Sequence, residues 1–298
     1  MRIYLVSNTI PGEPQDSIYE QYMTRKLVSH FYKPKLQLYG QVDIFYDSGA
    51  YTAATKGVVI DIDEYKLSLQ QNSQFITTCS NLDVIGDAQK CAANYNYLHK
   101  HVDNMIPVYH IGSNFKYLKR MVRLYPYIAI GGMITGGVNT AELDYIFNNY
   151  ILGKDNKPKV KVHGFGVTDI KLLVRYPWYS VDSSTWILNA AFGRVLIPAR
   201  TKYGFDYTNF VKLYVGNKDC LFEDSLLHKH LLLYLSTIGI PFGETEYIPK
   251  RDKGLFAYDP HVITPGISND YRYRWAANII YYNKLEHQIN KTNFYGNS

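Results

Sequence analysis

Residues 160–184 read VKVHGFGVTDIKLLVRYPWYSVDSS, and this stretch decides the fold class. Val160–His163 is a short apolar run, Ile170–Arg175 has a helical pattern, and Tyr179–Val181 is a second apolar run that stops on Asp182. Strand, helix and strand in that order make a βαβ unit with parallel strands. Working outward, further strand-like runs are Ile3–Val6, Val42–Tyr46, Phe75–Leu82, Ile106–His110, Ile128–Ile130 and Val195–Ile197. Amphipathic segments lie between them at Ser17–Phe31, Ile62–Gln71, Ala88–His101, Phe115–Tyr125 and Ala141–Tyr150. Asp61 ahead of Asp63 and Glu64, and Thr140 ahead of Glu142, are helix-start signals. Eight strands alternating with helices predict an α/β fold, a single (β/α)8 TIM barrel over residues 1–298. Tyr203–Gly266 reads as an elaboration carrying a helix at Ser225–Ile238, and Asp270–Gln288 as a terminal helix. An open doubly wound sheet is the rival architecture. Against it, no GxGxxG turn follows the first strand and no P-loop occurs.

The bulk numbers agree with one large soluble domain. The chain has 298 residues, 46% of them hydrophobic, enough for a substantial core. Its 32 Lys and Arg against 26 Asp and Glu leave +6, which permits a polyanionic partner without requiring one. Three scattered cysteines, Cys79, Cys91 and Cys220, make neither a disulfide framework nor a zinc pattern, so a reducing cytoplasm is expected and no metal or other cofactor. The His-Lys-His runs at 99–101 and 228–230 point their imidazoles apart on a helix and read as solvated surface. The opening MRIYLVSNTIPGEP reads as a first strand rather than a signal peptide. No apolar stretch reaches the roughly 18 residues of a membrane span; Leu231–Ile240 is the longest. The 29 tyrosines, with many Asn and Lys, suit an AT-rich genome such as a phage's, which would make the compartment the host cytoplasm.

Barrel active sites sit at the carboxyl ends of the strands. There the sequence places Asp47-Ser48-Gly49, then Asp83 and Asp87, then His110, Gly131-Gly132, His163-Gly164-Phe165-Gly166 and Asp182-Ser183-Ser184. Taken singly these have plain explanations. Asp87 suits a helix N-cap, the glycine pair a tight turn, and His110 a hydrogen-bonded loop histidine. Together they put two aspartates, Asp47 and Asp182, on near-opposite strands of one open mouth. Two carboxylates across a pocket suit chemistry at a sugar C1′, with one as nucleophile and the other moving protons. Spacing does not distinguish O- from N-glycosides.

Asp47-Ser48-Gly49-Ala50-Tyr51 resembles the Asp-Ser-Gly-Gly-Phe/Tyr motif of the tRNA-guanine transglycosylases. Tyr127–Met133 is similar to their Gly-Gly-Leu turn, Val162–Thr168 to their Gly-Val-Gly-Thr segment, and Ser180–Ser183 falls where their nucleophilic Asp follows a strand. The order and spacing agree over roughly residues 40–190. Asp83–Asp87 and Ser180–Trp186 look more like the DpdA-type branch, which inserts 7-deazaguanines into DNA. The resemblance implies exchange of guanine for a free 7-deazaguanine base, such as 7-cyano-7-deazaguanine, through a covalent Asp–sugar intermediate. It implies Asp182 as nucleophile, Asp47 as general acid/base, and Asp83 as reader of the guanine-like edge. His110 stands where the family usually has a glutamine, Gly131 and Gly132 would offer backbone amides, and Tyr51 and His163 would sandwich the base. Lys56, Arg194, Arg200 and Lys202, read as following barrel strands, would contact phosphates.

One departure bears on the substrate. The tRNA enzymes carry a structural zinc near the C-terminus, whereas here only Cys220 lies in that half. DNA is therefore the expected partner ahead of tRNA, with no membrane association and with homodimer formation left open. A zinc-free tRNA enzyme, an N-glycosidase that uses water, and a non-catalytic nucleic-acid-binding barrel remain as rival readings.

Overall fold

The computed structural model describes residues 1–7, 17–133, 140–215, 225–249 and 258–292. The chain divides into two compact units where the sequence reading has one domain. The first holds residues 1–15, 24–184 and 289–298, and the second residues 16–23 and 185–288.

The first unit is a parallel sheet that nearly closes into a barrel, with helices between its strands. Its strands are β1 (Arg2–Val6), β2 (Arg25–Ser29), β3 (Asp43–Asp47), β4 (Thr78–Ser80), β5 (Met105–Ile106), β6 (Val108–His110), β7 (Tyr127–Gly131), β8 (Lys161–Gly164) and β9 (Ser180–Ser183). They follow one another in space as β5-β4-β3-β2-β1-β9-β8-β7-β6. The two ends of that order are separated in the chain by Pro107 alone. Met105 and Ile106 pair with Cys79 and Ser80, while Val108 and His110 pair with Ala129 and Gly131. Proline has no N–H to give, but its carbonyl still accepts from Ala129 N–H at 2.8 Å, so the ladder passes across it.

Helices α1 (Ala50–Thr55), α2 (Ile62–Gln71), α3 (Ala88–Leu98), α4 (Phe115–Leu124), α5 (Thr140–Ile146) and α6 (Ile170–Arg175) fall in the intervals. Their starts are chemically marked. The carboxylates of Asp61, Asp87 and Asp169 and the amide oxygen of Asn114 accept first-turn N–H groups at 2.8–2.9 Å. Asp87 is thus a cap. Tyr4, Leu27, Phe45, Ile106, Val108 and Ala129 form one buried cluster, with Val6, Tyr127 and Phe165 against it. Alternate residues go to a second cluster, where Val28, Ile44, Tyr46 and Cys79 meet Tyr65 and Leu69 of α2 and Tyr95 and Leu98 of α3. Period-two strands buried on both faces produce this division.

Two element assignments made from sequence are corrected. Ser17–Phe31 is not a helix, because Arg25–Ser29 forms β2, hydrogen-bonded between β1 and β3. The strand is hard to read because it buries Lys26, whose ammonium lies 4.4 Å from the Tyr39 ring centroid. Val195–Ile197 is not a barrel strand. It belongs to β10 (Arg194–Thr201), which pairs antiparallel with β11 (Gly204–Tyr214).

That hairpin lies in the second unit, with α7 (Thr185–Ala191), α8 (Leu226–Ile238), β12 (Glu244–Pro249), β13 (Tyr258–Thr264) and most of α9 (Tyr271–Thr292). Its core includes Trp186, Leu231, Tyr234, Trp275 and Tyr281. Buried Asn278 is fully engaged there. Its amide donates to the carbonyls of Trp186 and Arg194 at 3.1 and 3.2 Å and accepts from Leu196 N–H at 2.9 Å. Helix α8 starts on a Ser225 cap and ends at Gly239, with φ of 69°. The expectation that the second His-Lys-His run is solvated fails here: His228 is buried edge-on to Phe242, and His230 stacks on Phe205.

Candidate active site at the carboxyl ends of the strands

β3 ends on Asp47, and the chain turns at once into α1 through Gly49. The Gly49 N–H donates to Asp47 Oδ2 at 2.9 Å. Its φ is +77°, and a Cβ there would come within 2.5 Å of Ser29 Oγ and 2.6 Å of Phe31 Cβ, so a side chain is refused on two grounds. The second oxygen, Oδ1, accepts from the Ser80 hydroxyl at 3.1 Å, while Ser80 Oγ accepts from Ser48 N–H at 3.0 Å. That N–H leaves the serine proton nowhere better to go than the carboxylate. Burial, opposed by these two hydrogen bonds and reinforced by the negative charges of Asp182 and Asp83, pushes the Asp47 carboxyl up to about 6.

Asp182, in β9, is buried. Its Oδ1 accepts from Gly166 N–H at 2.8 Å and lies 3.3 Å from His163 Nε2. Gly166 has φ of +66°, a left-handed turn that lets the loop after β8 fold its amide back onto the carboxylate. The electrostatic influence of Asp182 on Asp47 joins the two carboxylates that the sequence pairs into one site.

Asp83 and His110 form a second pair beside them, with His110 Nε2 3.1 Å from Asp83 Oδ2. Asn81 Nδ2 donates to Asp83 Oδ1 at 3.3 Å. Burial raises the Asp83 carboxyl, with contact to His110 partly offsetting it. For His110, burial works against the charged ring, but the Asp83 carboxylate outweighs it and the net shift is upward. Gly131 lies against the His110 ring, where a Cβ would meet the imidazole at 3.6 Å, and Gly132 turns with φ of +87°. Tyr51, the second residue of α1, is 43% exposed.

Asp83, Cys91 and His110 bring their ligand atoms within 4.8 Å of one another, a set that could hold a metal ion. Each has protein partners as it stands. Cys91 Sγ lies 3.1 Å from Val84 N and 3.3 Å from Val84 O, and Asp83 faces both Asn81 and His110. Cys220 lies outside the described residues. Clefts of about 420 and 470 Å³ open elsewhere, at the amino ends of the strands, beside Leu69–Asn104 and Gln37–Thr77.

Two expectations about the site change. His163 does not offer a ring face to a base: it is fully buried and stacked on Phe45 at 4.3 Å, with Tyr4 and Phe165 edge-on. As an inward residue of β8 it lies below the strand end. The four cations do not all follow barrel strands. Lys56 caps α1, with its ammonium 5.0 Å from the Phe31 ring, but Arg194 and Arg200 are in β10 and Lys202 is in the turn after it, in the second unit. All four are exposed. Sequence reasoning missed Ser80 and Asn81 and gave no role to Gly166 and Ser180, which it had placed within motifs; all four are partners of the carboxylates or the histidines. The one available signal was alternation, since Ser180 and Asp182 are two apart in a strand and so share a face.

No protein-family model matches the chain, and no curated protein matches it.

Proposed function

We propose that the protein is a base-exchanging glycosyltransferase that replaces guanine in DNA with a 7-deazaguanine, 7-cyano-7-deazaguanine or a relative. The observation that carries the reading is the pairing of Asp47 and Asp182 at one barrel mouth in unlike surroundings. One Asp182 oxygen accepts from Gly166 N–H and lies beside the His163 ring, while burial pushes the Asp47 carboxyl up to about 6. A proton donor and acceptor works best with a pKa near the working pH. In the same reading the barrel is eightfold, with Met105–Ile106 and Val108–His110 as one strand interrupted at Pro107.

The chemistry runs in two half-reactions. An oxygen of Asp182 attacks C1′ and the C1′–N9 bond breaks, its electron pair leaving with guanine, which takes a proton from Asp47. The deazaguanine then enters and gives its N9 proton to the Asp47 carboxylate. N9 attacks C1′, and the Asp182–C1′ ester breaks to restore the carboxylate. Asp83 accepts from the N–H edge of the base and His110 donates to its carbonyl. Gly131 and Gly132 give the base close access to backbone, and Tyr51 stacks on one face. A phosphate contact from Lys56, at the end of α1, would make binding weaken as salt rises. No organic cofactor or metal has a step in this scheme.

The test is nucleoside analysis after incubating the protein with 7-cyano-7-deazaguanine and either DNA or tRNA. The expected result is a deazaguanine nucleoside in DNA with one free guanine released for each. Incorporation into tRNA alone would reassign the substrate. Guanine release without incorporation would make the enzyme an N-glycosidase, and no change in either polymer would overturn the proposal.

A further inference from the structure

A line of hydrogen-bonding groups runs through the barrel interior beneath Asp182. The Tyr127 hydroxyl lies 2.5 Å from Ser180 Oγ, Ser180 Oγ lies 2.7 Å from His163 Nδ1, and His163 Nε2 lies 3.3 Å from Asp182 Oδ1. Strand register assembles it. His163 and Ser180 are directly paired residues of β8 and β9, and Ser180 shares its inward face with Asp182, two residues on. His163 and Ser180 are completely buried, and the imidazole is walled by Phe45, Tyr4 and Phe165.

The protons in this line have one consistent arrangement. A neutral imidazole carries one N–H, and its other nitrogen is a lone pair. If Nε2 were the lone pair, it would face the Asp182 carboxylate in a buried site, acceptor against acceptor. The proton therefore sits on Nε2, Nδ1 accepts from the Ser180 hydroxyl, and Ser180 accepts from the Tyr127 hydroxyl. Burial disfavours the charged ring, with Asp182 only partly offsetting it, so the neutral form agrees with this arrangement.

Gly166 N–H donates to Asp182 Oδ1, and His163 Nε2, which has no other partner, lies 3.3 Å from the same oxygen without meeting hydrogen-bond geometry, close enough for a small ring rotation to complete the bond. We infer that His163, oriented by Ser180 and Tyr127, is a positioning residue that pins Asp182 Oδ1 and so selects Oδ2 as the oxygen that attacks C1′. This rests on the reading of Asp182 as the nucleophile. It also explains a histidine at a depth where it cannot touch substrate. A buried group behind a reacting residue can orient it without itself reacting.

Two measurements on the full chain test it. The first needs no activity: nitrogen NMR of protein labelled with 15N-histidine, with His163 assigned by its loss in His163→Gln. The expected signal is a neutral ring protonated on Nε2 at neutral pH, and Ser180→Ala should shift it toward a tautomer mixture. A charged or Nδ1-protonated ring would overturn the inference. The second is guanine exchange by His163→Leu and His163→Gln, with folding checked by circular dichroism. Leu, which offers no donor, is expected to lower kcat on the order of 10²-fold, with KM changed less than about threefold. Gln, whose amide N–H can point at Oδ1, is expected to recover to within about tenfold of wild type. Equal loss in both would mark His163 as packing only, and wild-type kcat in His163→Leu would remove it altogether. Should either variant misfold, Tyr127→Phe keeps the ring and is expected to lower kcat about threefold, since it removes only the far end of the line. If wild type exchanged no base at all while the NMR result held, the hydrogen-bonded line would stand and the transglycosylase reading would fall.

Discussion

Strand β3 carries an aspartate at each end, and the two live in opposite surroundings. At the amino end, Asp43 accepts from the Tyr4 hydroxyl at 3.0 Å and faces the guanidinium groups of Arg2 and Arg25 at 3.6 and 3.5 Å. At the carboxyl end, Asp47 receives only neutral donors, Gly49 N–H and the Ser80 hydroxyl, and feels two further carboxylates. One charge is balanced and the other is held unbalanced. A barrel places stability at one end and chemistry at the other, and here the contrast is written within five residues of one strand.

The comparison is tested most severely at the partner of the unbalanced end. Asp182→Ala is expected to reduce base exchange by at least about 10³-fold, because it removes the carboxylate on which the sugar ester forms. A steady-state assay with labelled guanine reads this directly, and full activity would end the assignment. Next comes Asp47→Asn, expected to lower kcat about 10²- to 10³-fold and to erase the limb of the pH–rate profile near 6. If the limb persisted in the variant, the titrating group would be another residue. Tyr51→Ala should raise the KM for the free base about tenfold, the loss of one stacking surface, while Tyr51→Phe stays near wild type. Equal behaviour of the two variants would remove the ring from the pocket.

The smallest effects are on stability, and they carry opposite signs. Asp43→Asn removes a balanced charge from two arginines and should cost about 1–2 kcal/mol at neutral pH, with kcat unchanged within twofold. Asp47→Asn should stabilise. The folded-state pKa of Asp47 is raised from its ordinary 3.8 to about 6, so the folded chain holds an extra proton between those values. Stability therefore falls as pH rises from about 4 through 6, and the full cost is present above 6. The asparagine escapes that cost, so its gain should be about 1–2 kcal/mol at pH 8, allowing for partial exposure, and should vanish near pH 4. Denaturant melts of both variants across that range would show whether the two ends differ in sign as described.

Much of the site was legible because a strand end announces itself. Apolar runs stop abruptly on Asp47, His110 and Asp182, and small residues follow at once after the two aspartates. Those stops mark the carboxyl ends even where strand bounds are inexact. What was not legible depends on partners far away in sequence. Arg25–Ser29 hides as a strand because it opens on Arg25 and Lys26, and the Tyr39 ring that lies against the buried lysine is brought alongside only by folding. Val195–Ile197 is apolar enough for any sheet, and the sequence does not say that it pairs antiparallel with β11. His163 looked like a mouth residue because it follows Val162 at a strand end. One residue of register turns it inward onto Phe45.

The central claim is that Asp182 becomes covalently joined to the sugar. Its most direct measurement is mass spectrometry of peptides from wild-type protein and from Asp47→Asn, each denatured during reaction with guanine-containing single-stranded DNA. The account predicts an oligonucleotide attached through its deoxyribose to the peptide bearing Asp182. The adduct should be more abundant in Asp47→Asn if breakdown slows more than formation, and it should disappear on a chase with 7-cyano-7-deazaguanine. An adduct on Asp47 or any other residue, or none in either protein while guanine is being exchanged, would contradict it.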